Sequence, residues 1–258
     1  MTVILNGKKL ANRILEELKK KVTKLPPLKL VVVLVGDNPA SLNFVKQKQK
    51  AAEKIGIGFG LYKFDSKISN QSLIKEVEKI INDKFITGII VQLPLPPHID
   101  TDKIINLIPP KKDPDALSVD NFFVEPPTVS GIMKLIQEYG IKVKEKKIAI
   151  IGKGRLVGKP LAKTMKKAGA YLIICDRNTK NLKSKTLKAD ILVSATGCPC
   201  LIKKDMIKRE AVVIDAGGND VDFERVKKKV KYITPPIGGV GPMTVAILLS
   251  NLVRLAKI

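Results

Sequence analysis

A two-unit α/β fold with parallel sheets is predicted by three features of the sequence. β-Branched runs such as Lys29–Val35 (KLVVVLV) and Gly88–Gln92 (GIIVQ) are continuously apolar, the pattern of strands covered on both faces. Helix-patterned stretches separate these runs, and strands joined through crossover helices form parallel sheets with right-handed connections. The alternation then restarts at Lys147, after a break near residues 122–126, with strand KIAIIG entering a glycine-rich turn.

The elements follow in order. A helix pattern from Lys8 to Leu25 ends at Pro26-Pro27. After the strand at 29–35, Asn38-Pro39 reads as N-cap and first residue of a helix reaching about Ile55. Ile57–Phe64 is strand-like, Gln71–Ile81 helical and Gly88–Gln92 a buried strand. Asp100 caps a short helix that stops at Pro109-Pro110, and Thr128–Tyr139 is a helix leading out of this unit. In the second series, strand 147–152 and its glycine turn lead into a helix ending near Ala168. Strands follow at 171–175, 190–196, 211–217 and 230–234, with helical segments between most of them. The helix from Val245 to Leu255 returns to brace the first unit. No internal repeat stands out.

Composition narrows the function. At 258 residues the chain can bury a full core, and 45% hydrophobic residues is ordinary for a globular protein. The N-terminus has no apolar core followed by a small-residue cleavage site, and no apolar run approaches the ~20 residues of a membrane span. Cys175, Cys198 and Cys200 are the three cysteines, and the Cys198-Pro199-Cys200 pair lacks a second Cys/His cluster for zinc. Reduced thiols, a cytoplasmic location and no metal site are expected. The formal charge of +23 invites a nucleic-acid reading. The excess is almost wholly lysine, with aromatics at 4% and no Trp for base stacking, so a lysine-rich solvated surface is favoured. A catalytically inactive nucleic-acid-binding protein stays as the rival from another class.

Three segments carry chemistry. Thr234–Thr244 (TPPIGGVGPMT) packs three glycines and three prolines between a strand and a helix, a stiff and bare backbone suited to walling a ligand. Gly152-Lys153-Gly154-Arg155-Leu156-Val157-Gly158 sits between strand and helix, where glycines let a pyrophosphate approach the helix N-terminus. It is one residue longer than the usual dinucleotide fingerprint. At the end of the next strand, Asp176 favours NAD through the ribose hydroxyls, whereas Arg177, with Lys153, favours the extra phosphate of NADP. NADP is preferred, with NAD as the alternative. In the first unit Phe44 and Lys48 share one helix face at i and i+4. Gln92 ends a buried strand and enters the rigid Leu93-Pro94-Leu95-Pro96-Pro97 segment at the carboxyl edge of the sheet. Asp113-Pro114-Asp115 follows the next proline pair. His98, the only histidine, follows two prolines and reads as a loop residue.

Together these residues resemble the methylenetetrahydrofolate dehydrogenase/methenyltetrahydrofolate cyclohydrolase family over essentially the whole chain. VGDNPAS (35–41), Lys48, VQLPLP (91–96), KDPD (112–115), LVGKP (156–160), ATG (195–197), VVID (212–215) and GGVGPMT (238–244) fall in the family's order and spacing. The resemblance implies two α/β domains with a folate cleft between them. Residues 1–123, braced by the C-terminal helix 243–258, would form the folate-binding catalytic domain, and 124–242 a Rossmann-like NAD(P) domain. It implies oxidation of 5,10-methylenetetrahydrofolate to the methenyl form, then hydrolysis to 10-formyltetrahydrofolate.

Lys48, Gln92 and Asp115 would be catalytic, with Phe44, Val91, Leu93, Gly238, Gly239, Val240, Gly241, Pro242, Met243 and Thr244 lining the folate. Gly152, Lys153, Gly154, Arg155, Gly158, Asp176, Arg177, Thr196, Gly197 and Gly218 would hold the cofactor. A homodimer, and a polyglutamylated folate held by surface lysines, are also expected. Several positions depart from the family. Phe44 stands where tyrosine is usual, so it can stack but has no hydroxyl for Lys48. Ala116 replaces glycine, and Pro236-Ile237 replaces Val-Pro. A dehydrogenase-only, NAD-dependent member is the enzymatic alternative.

Overall fold

The computed structural model describes residues 1–119 and 121–258. The chain opens with β1 (Val3–Ile4) and α1 (Gly7–Val22), followed by β2 (Lys29–Val35), α2 (Pro39–Lys54) and β3 (Gly58–Phe64). It continues through α3 (Asn70–Asn82), β4 (Gly88–Val91), α4 (Thr101–Leu107) and α5 (Pro127–Glu138). The second series contains β5 (Lys147–Ile151), α6 (Gly158–Lys167), β6 (Tyr171–Cys175), α7 (Leu182–Thr186) and β7 (Ile191–Ser194). It ends with β8 (Val212–Asp215), α8 (Phe223–Val226), β9 (Tyr232–Ile233) and α9 (Val240–Leu255).

Two compact units result. One comprises Asn12–Pro127 and Val245–Ile258, the other Met1–Ala11 and Thr128–Thr244. In the first, three parallel strands run β3-β2-β4. The central strand β2 is buried from Leu30 to Val35, as its unbroken β-branched run requires. Val31, Val33 and Val35 pack with Leu73, Val77 and Ile80 of α3 and Ile104 of α4. The α2 start follows its sequence signal: Asn38 accepts from the Ser41 amide at 3.0 Å, and Pro39 needs no amide partner at the first turn. Asp100 caps α4 in the same way through the Lys103 amide. From α9, Leu252 lies so close to Gly88 that a Cβ there would collide with it, and the Asn251 amide donates to the Pro114 carbonyl at 2.9 Å.

The second unit holds a six-stranded parallel sheet in the order β1-β9-β8-β7-β5-β6. Its core includes Ala149, Ile151, Leu192, Val213, Val226 and Ile233. Three strands are shorter than their apolar runs predict. The run 211–217 is strand only over Val212–Asp215, because the Ala216 and Gly217 amides both turn onto the Ser194 carbonyl. The run 190–196 is strand only over Ile191–Ser194, because Ala195–Gly197 turns away, and 230–234 pairs only through Tyr232–Ile233. The two-residue strand β1 carries no periodic signal. It joins β9 in parallel, with the Val3 and Leu5 amides donating to the Lys231 and Ile233 carbonyls at 2.8 Å each.

Candidate active site

In the first unit, α2 and β4 bring Lys48 and Gln92 together. Phe44 and Lys48 lie one turn apart on α2; Phe44 is 39% exposed, whereas Lys48 is only 5% exposed. The Lys48 ammonium donates to Gln92 Oε1 at 3.0 Å, and Gln92 Nε2 donates to the Leu93 carbonyl at 2.8 Å. That second bond fixes which face of the Gln92 amide meets Lys48. Val91 is buried at the end of β4, and the Gln92 amide extends the ladder to the Val33 carbonyl. The Leu93–Pro94 peptide that follows is cis.

Asp115 completes this group electrostatically. Burial lowers the Lys48 pKa below the ordinary lysine value, and the Asp115 charge partly restores it. Burial likewise raises the Asp115 carboxyl, opposed by Lys48 and reinforced by Asp113. Both shifts have the same cause, a charge removed from water, and each group is the other's compensation. A weakly basic amine beside a carboxyl can trade protons and orient water without a metal or a histidine.

Asp113, to which the sequence assigns no role, holds the loop that presents Asp115. It is 2% exposed and accepts from the amides of Asp115 at 3.1 Å, Leu117 at 2.8 Å and Ser118 at 2.8 Å. The Ser118 hydroxyl and the Asn121 side chain also donate to it, at 2.7 and 3.3 Å. Asn251 supports the same loop through Pro114, and also donates to the Glu125 carbonyl at 2.9 Å. A buried asparagine in the apolar run VAILLSNLVRL is a legible signal, because a side-chain amide is seldom buried there without a partner. His98 is a loop residue whose ring faces the Ile68 carbonyl.

In the second unit, the turn after β5 is shaped by two glycines. Gly152 has φ +97°, and a Cβ there would strike the Ala195 carbonyl; a Cβ at Gly158 would strike the Gly152 carbonyl. Gly154 faces open space. No side chain caps the start of α6; the Lys159 amide donates to the Gly154 carbonyl at 3.0 Å and Pro160 has no amide, which leaves the Gly158 amide for an anion. Lys153, Gly154 and Arg155 lie in this turn, and Asp176 and Arg177 follow the neighbouring strand β6. Asp176 bends into its own turn, accepting from the Asn178 amide at 3.0 Å and the Thr179 hydroxyl at 3.3 Å.

Thr196 and Gly197 follow β7. The Thr196 amide and hydroxyl donate to Asp220 Oδ2 at 2.7 and 2.9 Å, and Gly197 has φ +70°. Gly218, at φ +91°, donates its amide to Asp215 Oδ1 at 2.8 Å. Burial pushes the Asp215 carboxyl up, against the pull of the Val221 amide, which donates to Oδ2 at 3.1 Å, and of the Gly218 amide.

The glycine loop belongs to this unit too, but it ends earlier than the sequence suggests: Val240–Thr244 form the start of α9, which begins at Val240 rather than Val245 because Pro242 lies in a first helical turn, where no amide partner is needed. The Lys8 amide donates to the Gly238 carbonyl at 2.8 Å, Gly7 sits against the Gly239 carbonyl, and Thr234 Oγ1 accepts from the Asp215 amide at 2.7 Å. Gly238 has φ +86°, and a Cβ on Gly239 would strike the Pro235 carbonyl. Gly241 faces open space, whereas Val240 and Met243 are buried; Pro242 is half-buried and Thr244 meets the Thr128 hydroxyl at 3.2 Å. Ile237 is 92% exposed at the apex. Among the described residues no three metal-ligating side chains cluster, and no helix is long and apolar enough to cross a membrane.

Known proteins match along the full length. Residues 5–115 match the tetrahydrofolate dehydrogenase/cyclohydrolase catalytic domain, and 126–258 match the NAD(P)-binding domain of the same family. Bifunctional protein FolD of Lactobacillus helveticus is 42% identical, covering 100% of this chain and 98% of its own. The bifunctional enzyme FolD-methylenetetrahydrofolate dehydrogenase/cyclohydrolase of Campylobacter jejuni superposes with a TM-score of 0.92 at 40% identity, covering 100% and 99%. The Trypanosoma brucei dehydrogenase-cyclohydrolase, solved with NADP cofactor and inhibitor, gives a TM-score of 0.94 at 30% identity, covering 99% and 97%. With both domains matched in order, and with the Lys48 group and the glycine turn each inside its matched domain, this chain belongs to the tetrahydrofolate dehydrogenase/cyclohydrolase family.

Proposed function

We propose that this chain oxidises 5,10-methylenetetrahydrofolate to 5,10-methenyltetrahydrofolate with NADP and hydrolyses the product to 10-formyltetrahydrofolate. The observation that carries the reading is the buried Lys48, hydrogen-bonded to Gln92 and electrostatically paired with Asp115. Phe44 stacks on the pterin, and Val91 and Leu93 border it beside Gln92. Asp115 accepts from the amino and ring N–H groups of the pyrimidine edge. Two N–H donors favour its carboxylate form and counter the desolvation that raises its pKa. Lys48 and Gln92 orient the water that adds to the methenyl carbon. A neutral Lys48 amine removes the proton, and burial makes that form accessible. The backbone from Gly238 to Thr244 supplies a stiff wall for ligand.

The glycine turn fits a dinucleotide, because Gly152 and Gly158 let the backbone fold closely on itself, and Gly154 leaves open space beside the turn. NADP, when bound, accepts a hydride. The Gly158 amide, Lys153 and Arg155 would hold its phosphates, Arg177 its 2′-phosphate and Asp176 its ribose. Thr196, Gly197 and Gly218 shape the remaining floor. A single-activity dehydrogenase is the second reading, favoured by Phe44, which offers Lys48 no hydroxyl.

Steady-state turnover with NADP and NAD tests the cofactor assignment. Arg177→Ala should raise KM for NADP more than for NAD; equal shifts would remove Arg177 from the phosphate site. The subunit associates with itself through β6, the outer strand of the six-stranded sheet, whose Tyr171 and Ile174 are 63% and 45% exposed. A dimer mass by light scattering is expected, and a monomer for Ile174→Lys. Two exposed free thiols accord with a reducing, cytoplasmic location.

A further inference from the structure

Cys198 and Cys200 lie outside the machinery described above, yet they are tied to it. Both thiols are exposed, and they flank Pro199 in one tight turn closed by the Leu201 amide on the Cys198 carbonyl at 3.3 Å. Proline fixes the backbone between them, so the thiols are held within one turn's reach of each other. Two Cα steps of about 3.8 Å folded at a turn place the Cα atoms near the ~4.4–6.8 Å span of a disulfide. Cys200 has φ +52°, a left-handed conformation that a cysteine rarely adopts.

The turn is wired to the residues read as cofactor-binding. The Cys198 amide donates to Thr196 Oγ1 at 3.1 Å, and Thr196 in turn donates to the buried Asp220. The Cys200 amide donates to the Asn219 carbonyl and the Ile202 amide to the Asp220 carbonyl, both at 2.9 Å. Asp220 also takes the Ser194 hydroxyl at 2.6 Å, while its other oxygen is buried without a partner. A movement of Cys198 therefore reaches Thr196 directly, and through it the Asp220 oxygen that holds Ser194 and Thr196 together.

We propose that Cys198 and Cys200 form a reversible dithiol–disulfide pair whose closure weakens NADP binding. The oxidant class is a peroxide. One thiolate attacks the peroxide O–O bond, forming a sulfenic acid and releasing one water once the thiol proton is counted. The second thiol attacks that sulfur, the S–S bond forms and a second water leaves. Two thiols lose two electrons, and hydrogen peroxide is reduced to two waters. Closing the ring draws Cys198 towards Cys200 and takes its amide off Thr196. The NADP effect rests on the cofactor reading of Thr196; the disulfide does not.

The test treats the purified full-length protein with stoichiometric hydrogen peroxide, blocks remaining thiols and weighs the tryptic peptide Ala189–Lys203. The expected peptide is lighter than its reduced form by two hydrogens and reverts with dithiothreitol. KM for NADP should rise about fivefold, at the lower end of typical coupling between sites. Cys198→Ser and Cys200→Ser should show neither change. Sulfinic acid without a cross-link overturns the proposal, as does a cross-link with unchanged KM or a KM response that survives Cys198→Ser. A reduced enzyme that never saturates with NADP refutes the cofactor reading instead, and the peptide mass still decides the disulfide.

Discussion

Lys48 shows how burial and a neighbouring carboxyl set the basicity of one amine. Burial disfavours the ammonium, and Asp115 opposes that shift, so the amine's pKa lies below the ordinary lysine value of 10.5. A base acts only when deprotonated, so hydrolysis should rise with pH along a limb set by this depressed pKa. Asp115→Asn removes the charge that favours the ammonium, so the limb should move to lower pH while KM for folate rises. Lys48→Met should abolish the limb and reduce hydrolysis by about 100-fold or more. A limb unmoved by Asp115→Asn would disprove the coupling. Next door, Ala116 holds φ +53°, where a Cβ is strained. Ala116→Gly should stabilise the fold by about 0.5 kcal/mol, the relief of strain exceeding glycine's entropy cost. Chemical denaturation measures it; a loss of stability would show that the strain is absent. Lys48, Gln92 and Asp115 were each visible in the sequence through their motifs. Their geometry was not, because residues 48, 92 and 115 meet only through tertiary packing.

Elements position these side chains through bonds that spacing does not reveal. The loop carrying Asp115 is organised by Asp113, which gathers three amides, a hydroxyl and a side-chain amide. Asp113→Ala should cost about 3 kcal/mol of stability, since several buried donors lose their acceptor at once. It should also raise KM for folate; a variant with wild-type stability and KM would show that the loop holds itself. Strand β2 was read correctly because a strand buried on both faces leaves a continuous apolar signature. Strand β1 leaves no signal in the sequence because two residues have no period, and its place depends on the β9 edge being open. The short strands β7, β8 and β9 end before their apolar runs do for a related reason. Apolar residues continue past the ladder, and the turn at Ala195–Gly197 depends on distant Asp220.

Across the whole molecule, charge is the property most distinctive of this chain. A net +23, carried mainly by lysine, attracts polyanions over a screening distance of about 8–10 Å at ordinary salt. Polyglutamylated folate should therefore bind more tightly than the monoglutamate at low salt, and the difference should shrink as salt rises. Equal KM values at low salt would remove the surface from substrate capture. The two-unit α/β plan was legible from strand alternation and the restart at Lys147. The allocation of Met1–Ala11 to the later unit was not, since it depends on β1 pairing with a strand more than 200 residues away. The central claim, that one chain performs both steps, is tested most directly by stopped-flow turnover of 5,10-methylenetetrahydrofolate with NADP, following methenyl and 10-formyl products together. The methenyl form should stay low and decay faster than in buffer, with Lys48→Met causing it to accumulate. Accumulation in the wild-type enzyme, with decay no faster than in buffer, would contradict bifunctionality.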